Sequence, residues 1–76
     1  MPTVDVQVME DAFTLEEKQK LIRGIARVFG EVAGEWMRDN TSVRIHEVKS
    51  GQWGGAESCW TTEIAKSKKS KPVEPR

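Results

Sequence analysis

The 76-residue chain contains 37% hydrophobic and 32% charged residues, which is typical of one small globular domain. Its zero net charge hides an acidic body, −4 over residues 1–65 from 7 Lys and Arg against 11 Asp and Glu, and a +4 segment over residues 66–76. The acidic body predicts no nucleic-acid partner, and the lack of a membrane-length apolar run predicts no membrane partner. A single cysteine excludes an internal disulfide, and together with the lack of a signal-peptide pattern it predicts a cytoplasmic protein.

Residues 4–8 form the first predicted element, because their side chains alternate between apolar valines and polar residues. This period of two is typical of a half-buried β-strand. Pro2 precedes the strand, where a residue without an N–H is tolerated. Aminopeptidases usually remove Met1 when proline follows, which would leave Pro2 with a free secondary amine. Its residue type alone is compatible with either role, a strand-opening residue or a reactive amine.

A long helix is predicted to begin after Thr14 and to end near Gly34. Thr14 followed three residues later by Glu17 is a capping box, and Gly34 suits the position just after a helix. Between them, apolar residues recur at three- and four-residue spacing over about five turns. They are Leu21, Ile22, Ile25, Val28, Phe29 and Val32. This pattern predicts one apolar stripe along the helix.

The second half of the chain contains shorter predicted elements. Residues 35–41 are predicted to form a loop that leads to a second alternating strand at residues 42–48, with Arg44 on its polar face. The glycine-rich residues 50–58 predict a turn or a short hairpin. Residues 59–65 fit either a brief third strand or one turn that packs onto a neighbour.

The order strand, helix, strand predicts a single β-α-β unit with parallel strands, of α/β (α+β) class, plus a short C-terminal hairpin or strand. Two strands make a sheet too narrow to be stable alone, so we expect oligomerisation to complete the fold. The domain is placed at residues 1–65. Residues 66–76 have almost no apolar content, which predicts a basic, disordered tail.

Several segments in this order resemble the tautomerase superfamily, and most closely its short subunits of the 4-oxalocrotonate tautomerase type. They are the Met-Pro start, TLEEKQKLIRGI, TSVRI and GQWGG, and the resemblance covers about residues 2–64. The resemblance implies a β-α-β building block that dimerises into a four-stranded sheet, with dimers assembling into hexamers. It also implies an isomerase, a cofactor-independent keto–enol tautomerase that acts on an unsaturated or enolic 2-oxo acid.

The same resemblance assigns roles to four residues. Pro2, freed of Met1, is expected to be the general base, since an apolar pocket and a nearby cation would lower the pKa of its amine. Arg44 is expected to bind a substrate carboxylate or carbonyl oxygen and to stabilise an enolate. Trp53 and Phe13 are expected to wall the pocket. The alternatives are a surface arginine, an oligomer contact for Trp53 and a core position for Phe13.

The loop EDAFT, before the helix, departs from the family pattern. Tautomerases that act on dicarboxylates have an arginine in this loop, whereas here it is one residue longer and contains Asp11, Ala12 and Phe13. Because a buried, unpaired carboxylate is costly, we expect a monocarboxylate substrate with an apolar or aromatic body.

Three other functions stay open at this point. The first is a catalytically silent subunit that assembles with a paralogous subunit in a mixed oligomer. The second is a related dehalogenase or hydratase, and the third is a binding module whose basic tail contacts an anionic partner.

Overall fold

The computed structural model describes residues 1–73. Its elements are, in chain order, β1 (Thr3–Met9), α1 (Leu15–Ala33), α2 (Glu35–Asp39), β2 (Ser42–Val48), β3 (Trp53–Gly54), β4 (Cys59–Trp60) and α3 (Thr62–Lys68). The strands β1 and β2 form a parallel sheet joined by α1, and β3 and β4 form a separate antiparallel hairpin. The predicted α+β class, with a β-α-β unit and a short C-terminal hairpin, is therefore confirmed.

The β1–β2 sheet has one apolar face and one polar face. The register runs from Thr3 opposite Ser42 to Met9 opposite Val48, which aligns the alternating residues of the two strands. The valines of β1 are half-buried or buried, whereas Asp5 and its neighbour across the sheet, Arg44, are exposed. A shift of one residue would move every valine to the polar face, so the alternation itself fixes the register.

Both predicted ends of α1 are confirmed. The Thr14 hydroxyl accepts a hydrogen bond from the Glu17 N–H (3.1 Å), and the Glu17 carboxylate accepts one from the Thr14 N–H (2.9 Å). At the other end, Gly34 has a φ of 95°, and its N–H donates to the Gly30 carbonyl (2.8 Å). This left-handed conformation favours glycine and lets the chain leave the helix axis abruptly.

The prediction of a loop at residues 35–41 is wrong, because a short helix, α2, occupies most of this segment. The Arg38 N–H donates to the Gly34 carbonyl (3.1 Å), and its guanidinium pairs with Glu35 (3.2 Å) and Asp39 (2.9 Å). Such local charge pairs support a single helical turn without any apolar periodicity. A periodicity search therefore passes over this helix.

The predicted domain boundary after residue 65 falls inside α3. The Thr61 hydroxyl caps this helix by accepting a hydrogen bond from the Ile64 N–H (3.3 Å), and the helix continues through Lys68. The first three residues of the predicted disordered tail, 66–76, are therefore helical. Residues 74–76 lie outside the described part of the chain.

The isolated chain buries very little apolar surface. Within residues 1–73, the buried hydrophobic residues are Val8, Met9 and Ala12, and each keeps a few per cent of its surface exposed. No residue of α1 is fully buried, and Val28 and Val32 are 53% and 81% exposed. The predicted stripe of α1 is present, but the two-stranded sheet covers only part of it.

No helix within residues 1–73 combines the length and the apolar character needed to cross a membrane.

Candidate active site

An open, mostly apolar cleft of about 450 Å³ lies at the C-terminal end of β1. Its apolar lining comes from four segments: β1, the loop before α1, the β3–β4 hairpin and α3. The side chains that contribute most of this lining are Val8, Met9, Ala12, Phe13, Trp53 and Trp60. Three of the five aromatic residues of the chain, Phe13, Trp53 and Trp60, line this cleft, which makes it the first candidate for a ligand site.

The β3–β4 hairpin places two tryptophans at the cleft. Trp53 lies directly opposite Trp60, and Gly54 lies opposite Cys59. The Gly55 N–H donates to the Ser58 carbonyl (2.9 Å), which closes the turn between the two strands. Aromatic pairs across an antiparallel ladder stabilise each other, and here both residues stay partly exposed, 39% for Trp53 and 41% for Trp60.

The start of α3 is fastened to the strand end and to the loop after β2. The Thr62 hydroxyl donates to the Glu10 carbonyl (2.7 Å), and the Thr62 N–H donates to the Ser50 hydroxyl (2.9 Å). The Glu10 carboxylate in turn accepts a hydrogen bond from the Ser50 N–H (2.7 Å). These three residues form a closed set of hydrogen bonds that sets where α3 begins.

A second set of contacts fastens the residue after α3. The Lys69 ammonium donates to the Glu17 carboxylate (2.7 Å) and lies 5.0 Å from the centre of the Phe13 ring. The hydrogen bond from Lys69, followed by the backbone bond from Thr14, holds the pKa of the Glu17 carboxyl below its usual value. Lys69 lines the cleft, but Glu17 compensates its positive charge.

Pro2 lies outside this cleft. It is half-buried just before β1, its carbonyl accepts a hydrogen bond from the Ser42 N–H (3.0 Å), and its nitrogen is acylated by Met1. At a rise of about 3.3 Å per residue, Pro2 is roughly 23 Å from Met9, which lines the cleft. One chain therefore cannot place the proline and the cleft around the same small molecule.

Arg44 also lies outside the cleft, on the exposed face of β2. Asp5 is its neighbour across the sheet, but the Asp5 carboxylate contacts Nε2 of His46 (3.1 Å). Within residues 1–73, Arg44 forms no salt bridge. Its guanidinium is open to an anionic group from outside the chain, whereas Phe13 and Trp53 are brought together in the cleft.

The helix α3 contributes to this site, which the sequence pattern did not indicate. Trp60, Ala65, Lys68 and Lys69 all line the cleft, and the two lysines had been placed in a disordered tail. The available signal was Thr61 followed by a short run of residues compatible with a helix, which is a recognisable N-cap pattern.

Within residues 1–73, no three His, Cys, Asp or Glu side chains cluster closely enough to hold a metal ion.

Comparisons with known proteins identify relatives of this chain. The family described as "Tautomerase enzyme" matches residues 2–61. A protein named Probable tautomerase K2, from Dickeya dadantii (strain 3937), is 36% identical over 59 residues, which cover 76% of this chain and 87% of that protein. No solved structure matches the chain. The family match begins at Pro2 and ends immediately before α3.

Glu17→Gln tests how the contact with Lys69 stabilises the protein. Glutamine at this position still accepts the Thr14 N–H bond of a capping box, so the substitution mainly removes the negative charge. Because the folded-state pKa of Glu17 is lowered, its stabilisation is present at neutral pH and is lost as the pH falls through that pKa. We expect wild type to be more stable than Glu17→Gln near pH 7, with the difference vanishing in acid.

The measurement is urea unfolding at several pH values and one fixed protein concentration. Glu16→Gln is the matched control, because Glu16 lies in the same helical turn and the Lys69 hydrogen bond goes to Glu17. A stability difference for Glu17→Gln that stays constant down to strongly acidic pH would contradict this account.

Proposed function

The chain belongs to the tautomerase family, and on that premise we propose that it is a cofactor-independent keto–enol tautomerase whose general base is Pro2 after removal of Met1. The observation that carries the proposal is the family match, which begins at Pro2, at the entrance of a parallel β-α-β unit. In the proposed reaction the amine takes the proton of the enol hydroxyl, which leaves an enolate, and returns it to the carbon at the far end of the enol double bond, which gives the ketone.

The proposed base requires an amine that is unprotonated near neutral pH. A secondary amine in water is mostly protonated, but an apolar surrounding and a nearby cation both disfavour the charged form and lower the pKa. The aromatic cleft is such a surrounding, because most of the residues that line it are apolar. The proposal therefore needs Pro2 and the cleft to come together.

We propose that they come together between two copies of the chain. Within the described residues, the outer edge of β1 has no strand partner. If the β1 strands of two copies pair in antiparallel fashion, the start of each strand lies beside the end of the other. Pro2 of one copy then lies at the cleft of the second copy. The exposed apolar residues Val28 and Val32 support further association, into a dimer or a hexamer, with itself or with a paralogous subunit.

Arg44 is the proposed electrophilic group. Its guanidinium has no salt bridge within residues 1–73 and can donate to an oxygen on which negative charge develops. Removing a donor of this kind typically raises the barrier by about 2–4 kcal/mol. In the same proposal, Phe13 and Trp53 hold the apolar body of the substrate, as their position in the cleft supports.

The proposed substrate is an enolic 2-oxo acid with one carboxylate and an apolar or aromatic body. The loop before α1 contributes the buried Ala12 and the aromatic Phe13 to the cleft, and no basic residue. Lys69, whose ammonium lies 5.0 Å from the centre of the Phe13 ring, is already paired with Glu17. The charge balance therefore favours a monocarboxylate.

Pro2→Ala tests the proposed base. We expect the mature protein to lack Met1 and to ketonise phenylenolpyruvate, and we expect Pro2→Ala to lower kcat/KM, because a primary amine replaces a constrained secondary amine. Intact mass establishes the N-terminus of each protein, and the rate is followed by loss of enol absorbance. Thr3→Ala is the matched control, since Thr3 is the next residue and lies exposed on the polar face. Unchanged turnover in Pro2→Ala protein of verified N-terminus would refute the mechanism.

Substrate choice is tested by comparing phenylenolpyruvate with the dicarboxylate 2-hydroxymuconate. Burying an unpaired second carboxylate costs several kcal/mol, and each 1.4 kcal/mol is about tenfold, so we expect kcat/KM to favour the monocarboxylate at least about a hundredfold. Equal or faster turnover of the dicarboxylate would contradict the proposed specificity. Inactivity on both substrates would favour the alternative that the chain is a catalytically silent subunit of a mixed oligomer. Activity measured after mixing with a paralogous subunit would then test that alternative.

A further inference from the structure

Lys68 brings an uncompensated positive charge to the aromatic cleft. It lies in the last turn of α3, is exposed, and lines the cleft together with Lys69. The two lysines differ in their surroundings, because Lys69 donates to Glu17 (2.7 Å) and Lys68 forms no salt bridge within residues 1–73. Only one of the two cations is therefore available to a ligand.

The sequence of α3 keeps Lys68 free of acidic neighbours on its own helix. The residues three and four positions earlier are Ala65 and Ile64, so no carboxylate lies on the same helical face. Ala65 also lines the cleft, which shows that this face of α3 is turned towards the aromatic side chains. The hydrogen bonds of Thr62 and the pairing of Lys69 with Glu17 fix the helix on both sides of these residues.

The composition of the cleft defines the ligand that it fits. A volume of about 450 Å³ falls within the range of small-molecule sites, about 300–1,000 Å³. The aromatic rings of Phe13, Trp53 and Trp60 offer apolar contact, and the exposed residue Lys68 also lines the cleft. Aromatic walls with one unpaired cation are complementary to an apolar body that bears one negative charge.

We propose that Lys68 binds the carboxylate of an aromatic or branched-chain monocarboxylate whose apolar body lies between Phe13, Trp53 and Trp60. The inference rests on the proposed function in one respect, namely that this ligand is the substrate. Arg44 is then left to act on the enolate oxygen, and Lys68 determines specificity. Because the family match ends before α3, this cation is supplied by a segment beyond the matched region.

Binding of an unreactive pair of probes tests the proposal separately from turnover. The probes are 3-phenylpropanoate and its neutral isostere 3-phenylpropanamide, neither of which has a keto or enol group. Their binding is followed by the emission of Trp53 and Trp60 in Trp36→Phe protein, since Trp36 lies on α2, away from the cleft. We expect the carboxylate to bind about three- to tenfold more tightly than the amide, as suits a partly exposed charge pair.

Lys68→Gln is expected to reduce the affinity for the carboxylate to that for the amide and to leave the affinity for the amide unchanged. Lys68→Arg should keep the preference, and Lys66→Gln is the matched control, since Lys66 lies on the same helix and does not line this cleft. A full carboxylate preference in Lys68→Gln, equal binding of both probes to wild type, or binding of neither would overturn the proposal.

The two proposals have distinguishable failures. If Pro2→Ala protein turns over phenylenolpyruvate as fast as wild type and still binds 3-phenylpropanoate normally, Pro2 is not the base. The Lys68 site would stand in that case. If Lys68→Gln protein turns over phenylenolpyruvate as fast as wild type and wild type binds neither probe, the Lys68 site is refuted. The tautomerase function would stand in that case.

Discussion

The structure depends on one constraint, which is that two parallel strands and one helix cannot enclose a core. Within residues 1–73, the buried hydrophobic residues are Val8, Met9 and Ala12, and no residue of α1 is buried. A sheet this narrow gains stability when its edges and its apolar surfaces are covered. Within one copy of the chain, Pro2 and the cleft lie at opposite ends of β1, so the two parts of the candidate site are far apart. In the proposed assembly, the contact that completes the fold also completes the site.

The cleft exists because the C-terminal segment is tied to both ends of the loop before α1. Thr62 bonds to Glu10 at the start of this loop, and Lys69 bonds to Glu17 in the first turn of the helix that follows it. Each bond joins residues 52 positions apart in the chain. Between these two attachments, α3 forms one wall of the cleft and Phe13 forms another. Glu17, which is part of the capping box of α1, therefore also neutralises Lys69 at the cleft.

The features that could be predicted from the sequence are those set by local physics. The valine alternation of β1, the capping box of Thr14 and Glu17, and the glycine that ends α1 each depend on residues a few positions apart. The helix α2 was missed because ion pairs around Arg38, not apolar spacing, support it. The lysines of the cleft were missed because their place depends on tertiary contacts, and composition alone favoured a disordered tail. Phe13 and Trp53 were named as pocket residues from the sequence, and the folded chain brings both to one cleft, but their role in binding a substrate stays a prediction.

Mixing two impaired variants tests whether the proline of one copy and the cleft of another form one site. Pro2→Ala protein has an intact cleft, and Trp53→Ala protein has an intact proline. If the variants are unfolded and refolded together in equal amounts, half of the random pairs are mixed, and each mixed pair holds one intact shared site. Because half of the pairs then hold one intact site of two, a shared site predicts recovery of about a quarter of wild-type activity. Activity that stays at the average of the two separate variants would show that the proline and the cleft do not act together across copies.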